Sequence, residues 1–245
     1  MKNDNGSMSI IGHLGELRKR IIIVLLFLIV FFIISYKFTD QLFNILLKPS
    51  NGLEFIYTKP EELLMTYLKV DLMFAILFTS PVFLFNVWKF VKPALKAEER
   101  VYVRRLIFLI LVFFIIGITF AYFVFLPLSI KFLLSFSNRM VRDMISIGSY
   151  ISFVISLVLA FGALFELPIV VIFLHKINIV NVYKLKKLRK FVIIIILIVA
   201  AVLTPPDVVS QLILSAPVFL LYEFSILLCS LMEKKNGIKK WFWYR

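Results

Sequence analysis

Across 245 residues the chain has one cysteine, Cys229, and two histidines, His13 and His175. A lone thiol leaves no disulfide framework, and two histidines far apart in the sequence point to neither a Cys/His metal cluster nor a catalytic dyad. Charged residues make up only 17% of the chain, well below the roughly one quarter usual in soluble domains. No glycine-rich phosphate loop, no H-E-x-x-H and no G-x-S-x-G occurs. The motifs that carry nucleotide, zinc-peptidase and serine-hydrolase chemistry are therefore missing. The sequence reads as a non-enzyme without cofactor or metal.

What fills the chain is hydrocarbon: 62% of residues are hydrophobic and the mean hydropathy is +0.99. That places it among membrane proteins. A hydrocarbon core about 30 Å thick takes about 20 apolar residues as helix. Six such segments are expected, Ile21–Tyr36, Leu63–Trp88, Leu106–Leu126, Tyr150–Leu174, Phe191–Leu203 and Val208–Leu228. Arg18, Lys19 and Arg20 before the first give it the look of a signal-peptide core, but no small-residue cleavage site follows, so it reads as a retained helix.

The net charge of +14 raises nucleic acid as a partner, and the placement of the charges answers otherwise. With the N-terminus inside, 21 of the 28 lysines and arginines fall on the cytoplasmic side of the six segments. The positive-inside rule thus puts both termini in the cytoplasm and leaves no need for nucleic acid, while attraction to anionic membrane lipid comes with the same charges. The expected layout is one all-α membrane domain over 1–245. It has a cytoplasmic segment at 1–20, a structured outer loop at 37–62, cytoplasmic loops at 89–105 and 175–190, and a cytoplasmic tail at 229–245.

Within the outer loop, "TKPEELL" carries helix-start signals: Thr58 and Glu61 at capping-box spacing, and Pro60 in the first turn. Pro49, Pro81, Pro127 and Pro217 read as loop or kink positions. The fifth segment, Phe191–Leu203, reaches only about 20 Å before Thr204-Pro205-Pro206 stops it, so it must thin the bilayer or lean on protein.

A few polar residues interrupt this apolar background. Glu166, in "LAFGALFELPIVVIFL", is an ionisable group deep in a span. It reads either as a protonated carboxyl making an interhelical hydrogen bond or as a group facing a polar groove. Gly162 and Pro168 beside it favour an irregular helix, and no other deep carboxylate is evident. Asp207 reads as an N-cap of the last helix, with Gln211 and Glu223 adding polarity further along and Lys69 in the outer half of the second span. Glu16 either pairs with Arg20 at i,i+4 or receives a ligand. Glu98 and Glu99, inside a strongly basic loop, pose the same choice between a salt-bridged turn and a ligand site.

Five stretches, "HLGELRKR", "PVFLFNVWKFVKPALKAEER", "FAYFVFLPL", "SYISFVISLVLAFGALFELPIVV" and "LTPPDVVSQLILSAPVFLLYE", together resemble one family. That family is TatC, the multispanning subunit of the twin-arginine (Tat) protein translocase. The resemblance runs from residue 13 to 223 and implies a concave, glove-like six-span bundle in the bacterial cytoplasmic membrane, with short fifth and sixth spans. It implies binding of twin-arginine signal peptides of folded precursor proteins at the cytoplasmic face. By the same resemblance, Glu16, Arg18, Arg20, Phe90, Glu99 and Arg100 form that surface, the doubled acid leaving Glu98 open as well. Glu166, Asp207 and Gln211 correspond to the intramembrane groove and partner contacts, and Pro49 and Lys69 to outer-side positions. The partners implied are single-span TatA-type subunits, with or without a TatB-type subunit, further copies of the chain itself, and the proton-motive force as driver. The rival reading is an ion-coupled small-solute transporter using Glu166, but the paired broken helices expected of one are not seen.

Overall fold

The computed structural model describes residues 10–50, 53–92, 97–135, 144–177, 179–203 and 208–243, with side chains described for all of these except 10, 11, 13, 97–102, 133 and 235–243. The described chain is almost wholly helical. Its helices are α1 (Ile10–Lys37), α2 (Thr39–Leu47), α3 (Pro60–Val91), α4 (Ala97–Phe120), α5 (Leu126–Leu134), α6 (Ile147–Leu164), α7 (Leu167–Lys176), α8 (Val182–Leu203) and α9 (Val208–Trp243). Two short strands, β1 (Phe55–Ile56) and β2 (Ile145–Ser146), pair in parallel.

Among the described residues four stretches are long and apolar enough to cross a membrane: Pro60–Val91, Val103–Phe132, Ile147–Lys176 and Val208–Lys234. The pair Leu14–Lys37 and Thr39–Ser50, bent by 80°, adds a fifth if it counts as one span. The expected short segment Phe191–Leu203 is the apolar end of α8, whose first turns carry Lys184, Lys186, Lys187, Arg189 and Lys190. One expectation needs correction. The expected short sixth span is not short: its apolar stretch runs Val208–Lys234, 27 residues, and the helix itself continues to Trp243, because nothing in "CSLMEKKNGIKKWFW" breaks the ladder except one tolerated glycine.

Two compact units divide the chain. In the first, Met1–Val112 with Arg139–Ile155, α1 packs along α3 and the chain turns sharply into α2 at Phe38. Phe43 meets Tyr67 edge-on at 4.9 Å, and Phe55 lies 4.8 Å from Tyr150, whose hydroxyl donates to the Leu46 carbonyl at 3.0 Å. Pro81 sits inside α3 and cannot donate to the carbonyl of Leu77. The Ser80 hydroxyl supplies the missing bond at 2.7 Å, so the helix continues to Val91.

At the start of α3 the capping differs from the expected Thr58–Glu61 pair. The N-cap is Lys59, so the acid three residues on is Glu62, and its carboxylate reaches back to the backbone N–H and hydroxyl of Thr58 at 2.8 and 2.7 Å. The same carboxylate accepts from the Ser146 hydroxyl and from the Gly148 N–H. One side chain thereby ties the segment before α3, the helix start and the β2 segment together. A side chain on Gly148 would put its Cβ 2.7 Å from Glu62 Oε1, so only glycine leaves room for this approach.

In the second unit, Phe113–Asn138 with Ser156–Arg245, rings of Phe120, Phe125, Phe161 and Phe165 stack with centroids 4.7 to 6.3 Å apart. Gly117 lets α4 lie directly on this cluster, since a Cβ there would come within 2.5 Å of the Phe161 carbonyl oxygen. A π-helical turn, Ala121–Phe125, shifts the ladder just before Pro127. α7 and α8 both pack on α9 around Val171, Leu185, Tyr222 and Ile226, and the Tyr222 hydroxyl donates to the Leu185 carbonyl at 2.8 Å.

Candidate functional site

The polar residues singled out in the sequence lie in both units. In the first, Glu16, Arg18 and Arg20 project from the early turns of α1. Glu16 and Arg20 are one helical turn apart, and Arg20 Nη2 donates to Glu16 Oε1 at 2.9 Å. The pair is incomplete. Glu16 Oε2 and Arg20 Nε are buried and have no partner among the described residues. Arg18 is exposed.

Phe90, near the end of α3, lies across from this pair. Together with Arg20, Leu17, Ile21 and Val87 it lines a cavity of about 210 Å³ between α1 and α3. Asn86 lines it too; its amide is nearly inaccessible and donates to the Val82 carbonyl at 2.9 Å. Glu99 and Arg100 lie in the first turn of α4, and their side chains, like that of Glu98, fall outside the described residues.

Lys69 Nζ donates to the Ser152 hydroxyl at 2.9 Å, which ties α3 to α6 inside the first unit. Pro49 is the middle residue of a 3-10 turn, Lys48–Ser50, that closes on a Ser50 hydroxyl bond to the Leu47 carbonyl. Sequence reading passed over Asp71. It is inaccessible, and both its carboxylate oxygens lie against the Thr39 hydroxyl. The expectation of a single buried carboxylate is therefore corrected. Asp71 stands at the level where α1 turns into α2, and its one sequence signal was a lone acid within an apolar run.

In the second unit, Glu166 occupies the break between α6 and α7 and is the N-cap of α7. The helix is irregular there, and Pro168 fits in the first turn of α7, where no N–H is needed. Gly162 has another reason to be small: a Cβ would meet the Phe114 ring at 2.8 Å. Both carboxylate oxygens of Glu166 are buried without a partner among the described residues. Its neighbours Leu164 and Leu167 line an apolar cavity of about 250 Å³ against Val192, Val199 and Leu214.

Gln211 does not stand free in this region; its amide donates to the Leu197 carbonyl in α8 at 2.8 Å. Asp207 lies outside the described residues. Arg189, which the sequence reading absorbed into a basic run, pairs with Glu223 at 2.6 Å. Among the described residues no cluster of His, Cys, Asp or Glu is placed to hold a metal ion.

Several helices long and apolar enough to cross a membrane, interrupted by isolated polar groups, define a multispanning membrane protein. The family model for the Sec-independent protein translocase protein (TatC) matches residues 12–217. A TatC protein of Carboxydothermus hydrogenoformans is 40% identical over 232 residues, covering 94% of this chain and 96% of that one. A TatC of Aquifex aeolicus is 38% identical over 241 residues, covering 95% and 100%, and TatCd of Bacillus subtilis is 34% identical over 233, covering 95% and 96%. A crystal structure of the twin-arginine translocase receptor TatC in DDM superposes with a TM-score of 0.80 at 36% identity, over 89% of this chain and 99% of that one. The chain belongs to the TatC family, the multi-pass membrane component of the Sec-independent protein translocase. The solute-transporter reading finds no support in these relatives.

Proposed function

We propose that this chain receives the paired arginines of a precursor protein's signal peptide at its cytoplasmic face and nucleates the site where folded proteins cross. The observation that carries the reading is the half-used Glu16 carboxylate, one oxygen on Arg20 and the other buried without a donor among the described residues. A guanidinium is the donor that suits it, because a planar fork can engage a carboxylate bidentately and an ammonium cannot. Glu99, with Glu98 beside it, supplies further negative charge at the start of α4. Phe90 offers a ring for the aliphatic stems or for a guanidinium face. Arg18, Arg20 and Arg100 keep the surface from holding the peptide through charge alone, so that geometry decides.

In this reading six segments cross the bacterial cytoplasmic membrane and both termini are cytoplasmic. The basic first turns of α8 stay at the surface while its apolar end spans a thinned bilayer, in accord with the positive-inside bias. Glu166, Asp207 and Gln211 belong to the path where single-span TatA-type subunits, with or without a TatB-type subunit, assemble on this one. Copies of the chain associate in the translocase, and the proton-motive force drives transport. These last statements rest on the resemblance of the chain to its family.

The test is binding of a fluorescent twin-arginine signal peptide to the purified protein in detergent, with a twin-lysine peptide and Glu99→Gln and Glu16→Gln variants alongside. Arginine is expected to bind about tenfold tighter than lysine, a difference of about 1.4 kcal/mol, and the two variants to remove most of that gap. Equal binding of both peptides by a monodisperse preparation would sink the receptor reading.

A further inference from the structure

The corner where α1 gives way to α2 holds more hydrogen-bond acceptors than donors. Thr39 Oγ1 lies 2.9 Å from the carbonyl oxygen of Tyr36, in the last turn of α1, and 2.9 and 3.0 Å from the two oxygens of Asp71. Asp71 is inaccessible, and among the described residues the Thr39 hydroxyl is the one hydrogen-bond partner of its carboxyl. One hydroxyl proton therefore faces three acceptors. If it goes to Asp71, the Tyr36 contact is left without a proton. If it goes to Tyr36, the Asp71 contact sets one bare oxygen against another. Either way the corner is one proton short.

The neighbours do not make up the deficit. The Ser35 hydroxyl, one turn before Thr39, is buried and has no hydrogen-bond partner among the described residues. Asp71 makes no ion pair among them either. Of the charged side chains on the elements around it, Lys37 and Asp40 are exposed and Lys69 donates to Ser152. The nearby phenols are those of Tyr36, which is exposed, and Tyr67, whose ring packs on Phe43. A metal cation does not fit between these oxygens, because 2.9 to 3.0 Å is the separation of directly hydrogen-bonded hydroxyl and oxygen.

A proton on Asp71 completes the set. The acid O–H then donates to Thr39 Oγ1, and the Thr39 hydroxyl donates on to the Tyr36 carbonyl, so each contact has its proton and no charge stays in an inaccessible place. We infer that Asp71 is a proton-binding site that locks the α1–α2 corner, closed while the acid holds its proton and opened by the proton's release. The proton comes from water and returns to it. When it leaves, the Thr39 hydroxyl turns to the carboxylate, the Tyr36 carbonyl loses its donor, and the 80° bend loses its pin. The lock is therefore held at low pH and lost as pH rises. This site stands apart from the proposed receptor surface and does not rest on that reading.

The test uses the full chain in detergent. Infrared spectra of the parent and of Asp71→Asn at the same pH are subtracted. The carbonyl stretch of a protonated carboxyl is expected in the difference, and its loss as the solution is made alkaline follows this one acid. Spin labels at Ile29→Cys on α1 and Asn44→Cys on α2, both exposed positions, in a Cys229→Ala chain, read the bend by double electron–electron resonance. A narrow distance distribution is expected to broaden over the same pH range. The closed-to-open ratio should fall about tenfold per pH unit above the midpoint, as release of one proton requires. Asp71→Asn, whose amide donates to Thr39 as the acid does, should stay closed throughout. Thr39→Ser should titrate like the parent and Thr39→Val should be broad at every pH, a pair that gives the answer if the Asn variant does not fold.

A difference spectrum without a protonated carboxyl overturns the inference, and so does a distance that follows pH equally in Asp71→Asn. A carboxyl that keeps its proton throughout while the distance holds makes the contact a plain buried hydrogen bond, and the lock falls. A Thr39→Val chain that titrates like the parent removes the chain of donors and has the same effect. Exchanging sodium chloride for choline chloride at fixed pH identifies the rival ligand. A distance that follows sodium alone makes the corner a cation site and also overturns the inference.

Discussion

Thr39 Oγ1 lies 2.9 and 3.0 Å from the two carboxylate oxygens of Asp71, and 2.9 Å from the carbonyl of Tyr36. A hydroxyl has one proton, so it cannot donate to both acceptors at once. The contact joins the first residue of α2 to the eleventh residue after the Pro60 start of α3, across the 80° bend that follows α1. It is the pin of that corner.

Removing the hydroxyl while keeping the acid should therefore cost more than removing both. Thr39→Val leaves an inaccessible carboxyl without the Thr39 hydroxyl, at a cost of about 1–3 kcal/mol. For a chain of this size that corresponds to a fall in melting temperature of about 2–4 °C for each kcal/mol. Asp71→Asn keeps the hydrogen bond and should cost less, and the double variant Thr39→Val/Asp71→Leu should recover part of the loss. Thermal unfolding in detergent reads all three. Additive losses would show that the two side chains act independently.

The Glu62 carboxylate makes a different kind of joint, because its partners come from the loop before α3 and from the segment before α6. Glu62→Ala should release both. Hydrogen exchange at the Thr58 and Gly148 amides is expected to rise several-fold, while amides in the middle of α3 hold their protection. Gly148→Ala should have the same signature at Gly148, since its methyl group displaces the Glu62 carboxylate. Uniform loosening of the whole helix would show that Glu62 acts through global stability instead.

Glycines in the long helices should separate into two groups. A Cβ at Gly117 or Gly162 meets backbone or an aromatic ring well inside contact distance, whereas at Gly12 or Gly15 it meets nothing within 4 Å. Gly117→Ala is expected to destabilise by about 1–3 kcal/mol through overpacking. Gly162→Ala should be partly rescued by Phe114→Leu, which shortens the opposing side chain. Gly12→Ala and Gly15→Ala should be neutral or gain up to about 1 kcal/mol from better helix propensity. Circular-dichroism melts of the five variants decide it, and a loss at Gly15 matching that at Gly117 would contradict the packing argument.

How far the sequence reached depended on the range of the forces involved. Hydrophobic runs fix where helices lie, so the positions of α1, α3, α6 and the apolar end of α8 were legible from composition in a window. Glu16–Arg20 was legible because both partners sit on one helix face four residues apart. The Glu62 joint was not, because half of its partners are more than 80 residues away and nothing local marks them. Asp71 escaped for the same reason: a buried acid is recognised by its partner, and Thr39 is 32 residues earlier. Gly162 was taken as a source of irregularity when its small size serves Phe114. The continuation of α9 past Leu228 was not marked by hydropathy, which falls there while helix propensity does not.

Glu166 gives the sharpest separation between stability and transport. Both its oxygens are buried with no hydrogen-bond partner among the described residues, at the break between two helices. A buried polar group without a partner costs free energy compared with an apolar one of similar volume. Glu166→Leu should therefore raise the melting temperature of the isolated protein, by about 2–4 °C for each kcal/mol recovered, and Glu166→Gln should change it little. If the carboxyl is kept for the path used by partner subunits, the same Leu variant should fail to export a folded twin-arginine cargo in cells lacking their own TatC, with Gln retaining part of the activity. A protein both more stable and less active would follow the trade-off expected where a site stores an unmet need. A Leu variant that melts earlier than the parent would mean that the carboxyl already has a structural partner, and its assignment to the transport path would lose its physical basis.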